Sequence, residues 1–195
     1  MSDREILNRL LCKRRAHPAE KAALDAEIEA RFGRRKAVMF TDLVGFSRSV
    51  DAFGIVHFLQ IIQESEALFL PIVAQHSGQC HMKEGDSLLI TFDEPVDALA
   101  CAQAMIAATA DVNVGRADEE RMEVCIGIGF GQVLWIDGET VWGAEVNMAS
   151  KLGEDIARGG QVLVTQRFRQ TVPDVPFVEH GQLFERHPYY RLVRE

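Results

Sequence analysis

The sequence predicts an α+β domain with a ferredoxin-like, split βαβ sheet and helices on one face, preceded by an N-terminal helical arm. From residue 36 onwards, short apolar runs typical of strands alternate with longer runs at helical spacing, in the order β-α-β-β-α-β. Glycine and proline breaks separate these segments. We therefore assign residues 1–34 to the arm and residues 35–195 to the domain.

The arm is charge-dense and has a helical pattern. Pro18 suits the first turn of a helix, and Leu24, Ile28 and Phe32 recur every four positions, which places them on one helical face. Two interpretations remain open at this point. The helix packs on its own domain, or it dimerises or transmits a signal.

The first half of the domain begins with the apolar run AVMF, which predicts a buried strand ending at Asp42, with a tight glycine turn at Gly45. Residues 50–76 have helical spacing, and we expect Gly54 and Pro71 to divide them into two helical pieces. The run QCHMKEGDSLLITF then predicts two short strands joined by a hairpin turn.

The second half continues with an alanine-rich helix that opens at Pro95. RMEVCIGIGFGQVLWI alternates as a strand does, and VWGAEVNMASKLGEDI predicts a loop that enters a helix. QVLVT, TQRFRQTV and PFVEHGQLFERHPYYRLV predict a strand, a short helix and two final strands.

Composition limits the classes of function. The chain has 195 residues with 21 Lys+Arg against 29 Asp+Glu, a net charge of −8, which argues against a nucleic-acid coat or a membrane-surface binder. No apolar run approaches the roughly 18–20 residues of a membrane span, and the N-terminus lacks the apolar core of a signal peptide. We expect a cytoplasmic protein.

The cysteine and histidine patterns predict no metal centre with cysteine or histidine ligands. The four cysteines are scattered without a CxxC pair, which is typical of reduced core thiols, and a zinc site is not expected. The six histidines show no paired spacing, so none is assigned as a ligand. The glycines of IGIGFGQV lie within a strand pattern, which disfavours a dinucleotide-binding loop.

Two aspartates stand out by their positions. Asp42 ends the first predicted strand, and Asp86 lies in the hairpin turn. Because the first and third strands of a split βαβ sheet are neighbours, these carboxylates can meet and offer the oxygen ligands that Mg²⁺ prefers. Backbone N–H groups around Gly45 are suited to a triphosphate. The plain alternative is two unrelated surface aspartates, since turns favour this residue.

Three ordered motifs resemble the catalytic domain of class III nucleotidyl cyclases, the adenylate and guanylate cyclases. FTDLVGFS is similar to the first metal motif of that family, EGDSLLITF to the second, and VWGAEVNMASKL to its WG-x-x-VN-x-A-x-R segment. The two aspartates are 86 − 42 = 44 residues apart, a spacing typical of the family. The resemblance covers about residues 36–193.

The resemblance implies a chemistry and a set of residues. Asp42 and Asp86, with the backbone carbonyl of Leu43, would hold two Mg²⁺ or Mn²⁺ ions. One ion activates the ribose 3′-hydroxyl against the α-phosphate, and the other stabilises the pyrophosphate. Family members build each site across a homodimer, so Asn147 would orient the ribose from the partner chain; a helix-start cap is the alternative reading of this residue. Substrate contacts would come from the turn after the first strand, comprising Val44, Gly45 and Phe46.

Three positions depart from the family pattern. Met82 stands where a purine-reading lysine is usual, and Lys83, one residue later, should lie on the opposite face of its strand. Thr140 stands at the second base-reading position. Lys151 stands where the family has an arginine that contacts the transition state. A single ammonium charge therefore takes the place of a planar guanidinium with several hydrogen-bond donors. Arg186 is a candidate additional phosphate-binding cation, the alternative being a solvated side chain.

The expected function is conversion of a nucleoside triphosphate to a 3′,5′-cyclic nucleotide and pyrophosphate. ATP is the first choice of substrate, with GTP or a pyrimidine triphosphate still open, because Met82 and Thr140 make the base pocket less polar. Two rivals remain. One is a nucleotide-binding or regulatory cyclase-homology module without turnover, and the other is a different metal-dependent phosphoryl-transfer enzyme on the same fold.

Overall fold

The computed structural model describes residues 1–45, 51–136, 138 and 140–193. Its strands form one mixed sheet in the order β2-β3-β1-β4-β6-β8-β7, with β5 paired to β4. Neighbouring strands are antiparallel, except that β4 and β6 run parallel. The strands are β1 (Gly33–Leu43), β2 (Gln79–Glu84), β3 (Ser87–Phe92), β4 (Val124–Ile136), β5 (Thr140–Trp142), β6 (Val162–Thr165), β7 (Phe177–Leu183) and β8 (His187–Leu192).

The helices follow the predicted order, so that β1-α3-β2-β3-α4-β4 is the expected split βαβ unit. A π-helical turn, Lys151–Ile156, directly continues α5. The helices are α1 (Asp3–Ala16), α2 (Lys21–Phe32), α3 (Ile55–Gln75), α4 (Pro95–Val112), α5 (Ala144–Ser150) and α6 (Gln166–Thr171). None of the described helices is both long enough and apolar enough to cross a bilayer.

The α+β fold is confirmed, and the two long helices α3 and α4 share one face of the sheet. Met39 of β1 belongs to the core cluster that these helices cover, whereas its neighbour Phe40 belongs to the cluster under α5 on the opposite face. The second face is therefore also covered, by α5 and the π-helical turn. Gly127 permits this approach, because a Cβ there would lie 2.1 Å from the carbonyl oxygen of Ala149.

Of the two expected breaks in residues 50–76, the one at Gly54 is present, since it separates a helical segment at 51–53 from α3, and the one at Pro71 is absent. Gly54 does precede the helix, but α3 runs without a break from Ile55 to Gln75 and contains Pro71. Pro71 is exposed, so its ring avoids the core while Phe69 and Val73 on the buried face hold the helix to the sheet. Burial of an amphipathic face outweighs the lost backbone hydrogen bond at proline.

The arm packs on its own domain. Leu24, Ile28 and Phe32 lie on one face of α2, as the spacing predicts, and they form a cluster with side chains of α1 and with Ile136 at the end of β4. The arm also reaches the segment after β4, where Arg4 Nη2 donates a hydrogen bond to Thr140 Oγ1 at 2.9 Å. These contacts agree with the interpretation that the arm packs on the domain of its own chain.

Candidate active site

The end of β1 and the β2–β3 turn bring Asp42 and Asp86 to the same edge of the sheet. Thr41 pairs with Leu88 in the antiparallel register, so Asp42 lies beside Ser87, the residue after Asp86. Ser87 Oγ donates a hydrogen bond to Asp42 Oδ1 at 3.2 Å. The backbone N–H of Leu43 donates to the Asp86 carboxylate. Two carboxylates and the backbone between them thus form one acidic edge.

The acidic edge is electrostatically strained. Burial, with the neighbouring charge of Asp86, raises the pKa of Asp42 from 3.8 to about 6. Burial also raises the pKa of Asp86. The carboxylates of Glu154 and Asp155, on the π-helical turn, add to the negative field at Asp42. A bound cation would relieve this repulsion.

Oxygen donors at this edge fit a hard divalent cation. Asp42, Asp86 and the Leu43 backbone are ligand types that Mg²⁺ and Mn²⁺ accept. Among the described residues, no group of three or more His, Cys, Asp or Glu side chains is arranged to hold a metal ion. The fit is therefore to a cation held by two side chains and completed by water or phosphate oxygens, which is how Mg²⁺ commonly binds.

A cleft of about 560 Å³ opens at the end of β1, although neither Asp42 nor Asp86 is among the residues that line it. Its walls include Leu43, Val44 and Gly45, together with Phe53 and Glu123. Gly45 has a φ of 90°, a left-handed conformation that glycine adopts without strain. Phe46, the third predicted substrate contact of this turn, lies outside the described residues.

The α5 segment carries the predicted catalytic pair. Asn147 is exposed in the middle of α5 and is not a helix cap, because Gly143 occupies the N-cap position and Asn147 N–H donates to its carbonyl. Lys151 Nζ forms an ion pair with Asp155 at 2.6 Å. Asn147 and Arg186 line a second cavity, of about 300 Å³. Asn147 and Arg186 are thus brought together, whereas the Lys151 charge is engaged on its own helix.

Comparison with known proteins identifies the family. The family model for the adenylate and guanylate cyclase catalytic domain matches residues 32–183. This chain belongs to that family. The match covers the acidic edge, the α5 segment and most of the sheet, so the resemblance seen in the three sequence motifs is confirmed.

Individual cyclases are similar over most of this chain. Putative adenylate cyclase 3 of Rhizobium meliloti is 28% identical over 76% of this chain and 25% of its own length. An adenylate cyclase of Streptomyces coelicolor is 32% identical over 70% of this chain and 34% of its own length. The chain thus spans about a quarter to a third of the length of these relatives.

Solved cyclase structures share the fold. An adenylate/guanylate cyclase/hydrolase from Silicibacter pomeroyi superposes with a TM-score of 0.74 at 27% identity, covering 84% of this chain and 98% of that one. An adenylyl cyclase from P. aeruginosa gives a TM-score of 0.70 at 21% identity, covering 84% and 95%. The second likeness concerns the fold alone.

The structure shows the surroundings of Met82, Lys83 and Thr140, the residues at or next to the predicted base-reading positions. Met82 packs against the cluster under α5, on the face that carries Asn147. Lys83 lies on the other face, where its Nζ pairs with Glu66 of α3 at 2.9 Å. Thr140 accepts the hydrogen bond from Arg4 described above. Lys83 and Met82 thus lie on opposite faces of β2, as the strand position of Lys83 predicts.

No pattern in the sequence points to His81, which precedes Met82 at the predicted base-reading position. A β-bulge between Cys80 and Met82 shifts the register of β2. The His81 ring donates from Nδ1 to the carbonyl of Gly138 at 3.0 Å, while Nε2 is 2.7 Å from Thr91 Oγ1. This contact ties β2 to the turn that precedes Thr140. A bulge leaves no clear mark in a single sequence, so only the structure shows this role.

The raised pKa of Asp42 predicts a gain in stability for Asp42→Asn. A raised carboxyl pKa contributes stability that is complete below about pH 4 and is lost as the pH rises through about 6. Asparagine does not ionise, so this loss of stability does not occur, and its side-chain oxygen can still accept the hydrogen bond from Ser87 Oγ. In EDTA at pH 7, we expect the free energy of unfolding to rise by about 1–2 kcal/mol, since water screens part of the repulsion at this half-buried group.

Urea titrations of the metal-free protein at pH 7 and pH 4 measure this effect. The gain should disappear at pH 4, where wild-type Asp42 is already protonated. The matched control is Glu84→Gln, an exposed carboxylate of the same hairpin, which should change little at either pH. An equal gain at both pH values would show that Asp42 is not strained by its charge.

Proposed function

We propose that this chain is a nucleotidyl cyclase that converts a nucleoside triphosphate to a 3′,5′-cyclic nucleotide and pyrophosphate at the interface of a homodimer. The observation that carries the proposal is the convergence of Asp42 and Asp86, with the Leu43 N–H between them, at the end of β1. Family membership supports the reaction class.

Each part of the site has a distinct task. The Asp42 and Asp86 carboxylates and the Leu43 carbonyl would hold two Mg²⁺ or Mn²⁺ ions. Bound divalent cations lower the pKa of the ribose 3′-hydroxyl and neutralise charge on the leaving pyrophosphate. Backbone N–H groups of the Val44–Gly45 turn are suited to phosphate oxygens. Such a site explains how an acidic protein with a net charge of −8 takes a polyanionic substrate.

The opposite half of each site would come from the partner chain. Asn147 would orient the ribose, and the Lys151 ammonium would stabilise the negative charge of the phosphate in the transition state. An apolar patch beside the cleft supports association with a second copy: Phe53, Val56 and Leu59 have exposed fractions of 53%, 77% and 53%. Burial of this patch in a dimer would place the two copies next to each other at the acidic edge.

The choice of base would depend on Met82 and Thr140, the residues at the two predicted base-reading positions. ATP is our first choice, but Met82 offers no charged donor to a purine. Thr140 offers one hydroxyl, already bonded to Arg4. GTP and the pyrimidine triphosphates therefore belong in the same test.

Incubation of the purified chain with each of the four triphosphates and Mn²⁺ tests the proposal, with chromatography of the products. A cyclic product that disappears in Asp42→Ala is expected. A noncyclic product that depends on the same aspartate would instead indicate another phosphoryl-transfer enzyme. Absence of any product from all four substrates would contradict the proposal.

A second candidate function is a cyclase-homology module that binds nucleotide without turnover. The observation in its favour is the ion pair between Lys151 and Asp155, together with the altered positions Met82 and Thr140. The intact acidic edge opposes it. Saturable nucleotide binding in the same reactions, without product, would select this function.

Lys151→Arg is expected to raise the rate of cyclisation by about tenfold. A guanidinium carries enough donors to keep its pair with Asp155 and still present a fork to phosphate oxygens, which an ammonium does less well. The measurement is kcat with the preferred triphosphate at saturating Mn²⁺. An unchanged or lower kcat would show that the site is adapted to lysine.

A further inference from the structure

The second cavity holds a buried carboxylate that has no role in the proposed cyclase reaction. Glu145 is on α5, two residues before Asn147, and its exposed fraction is 1%. It lines the cavity of about 300 Å³ together with Asn147, Arg167 and Arg186. Charged side chains this deeply buried require partners, so the contacts of Glu145 indicate what the cavity is built to hold.

One oxygen of Glu145 has a structural task. Pairing between β4 and β6 ends at Ile128 and Val164, and β6 itself ends at Thr165. Glu145 Oε2 accepts from the backbone N–H of Phe130 at 3.1 Å and from Thr165 Oγ1 at 2.8 Å. This oxygen therefore satisfies two hydrogen-bond donors at the end of the β4–β6 pairing.

The backbone around Glu145 is shaped to admit it. A Cβ on Gly129 would lie 2.7 Å from Glu145 Oε2, and a Cβ on Gly131 would lie 2.9 Å from Cγ of the same side chain. Both distances are shorter than atoms tolerate. Glycine at these two positions of β4 thus makes the space for the glutamate, which explains part of the IGIGFG pattern.

The other oxygen lacks a hydrogen bond. Within the described part of the chain, Glu145 Oε1 is buried and has no hydrogen-bond partner. Arg167 Nε is 3.7 Å away, just beyond hydrogen-bond distance. The Arg167 side chain is 68% exposed, so a small movement closes the gap. If Arg167 Nε donated a hydrogen bond to Glu145 Oε1, the terminal nitrogens of the guanidinium would remain available to bind an anion.

We propose that Arg167, anchored at Nε by Glu145, binds a phosphate group of the nucleotide together with Arg186 in the cavity beside Asn147. The inference rests on the proposed function. Lys151 pairs with Asp155 on its own helix, so additional cations would share the charge of the triphosphate. A guanidinium has five donors in a rigid fork, enough to hold a carboxylate with one edge and a phosphate with another. Glu145 is a positioning residue, because it acts through Arg167.

Binding of inorganic pyrophosphate to the full chain, measured by isothermal titration calorimetry, tests this assignment. EDTA is present throughout, so that binding through metal ions at Asp42 and Asp86 does not contribute. Arg167→Ala and Arg186→Ala should each weaken pyrophosphate binding by about tenfold. The matched control is Arg169→Ala on the same helix, whose guanidinium lies over the ring of Tyr190 and should leave binding unchanged.

Two further variants separate positioning from folding. Glu145→Gln keeps the size of the side chain but loses its charge, and should weaken pyrophosphate binding severalfold. In the Arg167→Ala background, the same change should have no further effect, because both act through one guanidinium. Glu145→Gln weakening binding equally in both backgrounds would show a merely structural role.

The neighbouring cavity provides the decisive alternative. Arg167 also lines a cavity of about 450 Å³ together with Arg35. If Arg35→Ala weakens binding while Arg186→Ala does not, the anion lies there and the proposal is overturned. Wild-type binding by Arg167→Ala, or no binding by the wild type, overturns it as well. Because the titration needs no turnover, a chain that binds pyrophosphate through Arg167 but forms no cyclic product contradicts only the proposed function.

Discussion

Replacing Asp86 by alanine is expected to lower cyclic-nucleotide formation by at least about a thousandfold. The carboxylate accepts from the Leu43 N–H and faces the same edge as Asp42, so its removal takes away one of two side chains that would hold the metal ions. Product formation with the preferred triphosphate measures this loss. Titration with Mn²⁺, followed by electron paramagnetic resonance, should show weakened metal binding without reference to activity.

The matched control for this experiment is Glu84→Ala. Glu84 is exposed on the same hairpin, two residues before Asp86, and it should change neither activity nor Mn²⁺ binding. The folded state of both variants is checked by the midpoint of urea unfolding. An Asp86→Ala protein that is folded, binds Mn²⁺ as tightly as the wild type and remains active would refute the proposed role of the acidic edge.

The meeting of Asp42 and Asp86 was predictable from the sequence because it depends on topology alone. Once the order β-α-β-β-α-β is recognised, the first and third strands are neighbours, and the end of one must lie beside the turn that starts the other. The observed register, with Thr41 opposite Leu88, agrees with that arrangement. Strand alternation likewise places Lys83 on the α3 face, where it pairs with Glu66.

Features that depend on tertiary context were not predictable. Pro71 is tolerated within α3 because the buried face of that helix outweighs a local cost, and proline on its own signals a break. The hydrogen bond from Arg4 to Thr140 joins residues 136 positions apart, which no local pattern reveals. Burial of Glu145 depends on the glycines of β4 and on the donors at the end of the β4–β6 pairing.

Complementation between two inactive variants is expected to restore about a quarter of the wild-type activity. In a homodimer with shared sites, an Asp86→Ala chain still supplies Asn147, and an Asn147→Ala chain still supplies Asp86. Random mixing makes half of the dimers mixed, and each mixed dimer has one intact site of two. The activity of an equimolar mixture, after exchange of differently tagged chains, measures this restoration.

Mixing Asp42→Ala with Asp86→Ala provides the control, because both changes lie in the half of the site that one chain supplies. Every site in that mixture has a damaged acidic edge, so activity should not return. Restoration in the first mixture but not in the second requires Asp86 and Asn147 to act from different chains. If purified mixed dimers of Asp86→Ala with Asn147→Ala remain inactive, each site is contained within one chain, and Asn147 must serve Asp86 of its own subunit.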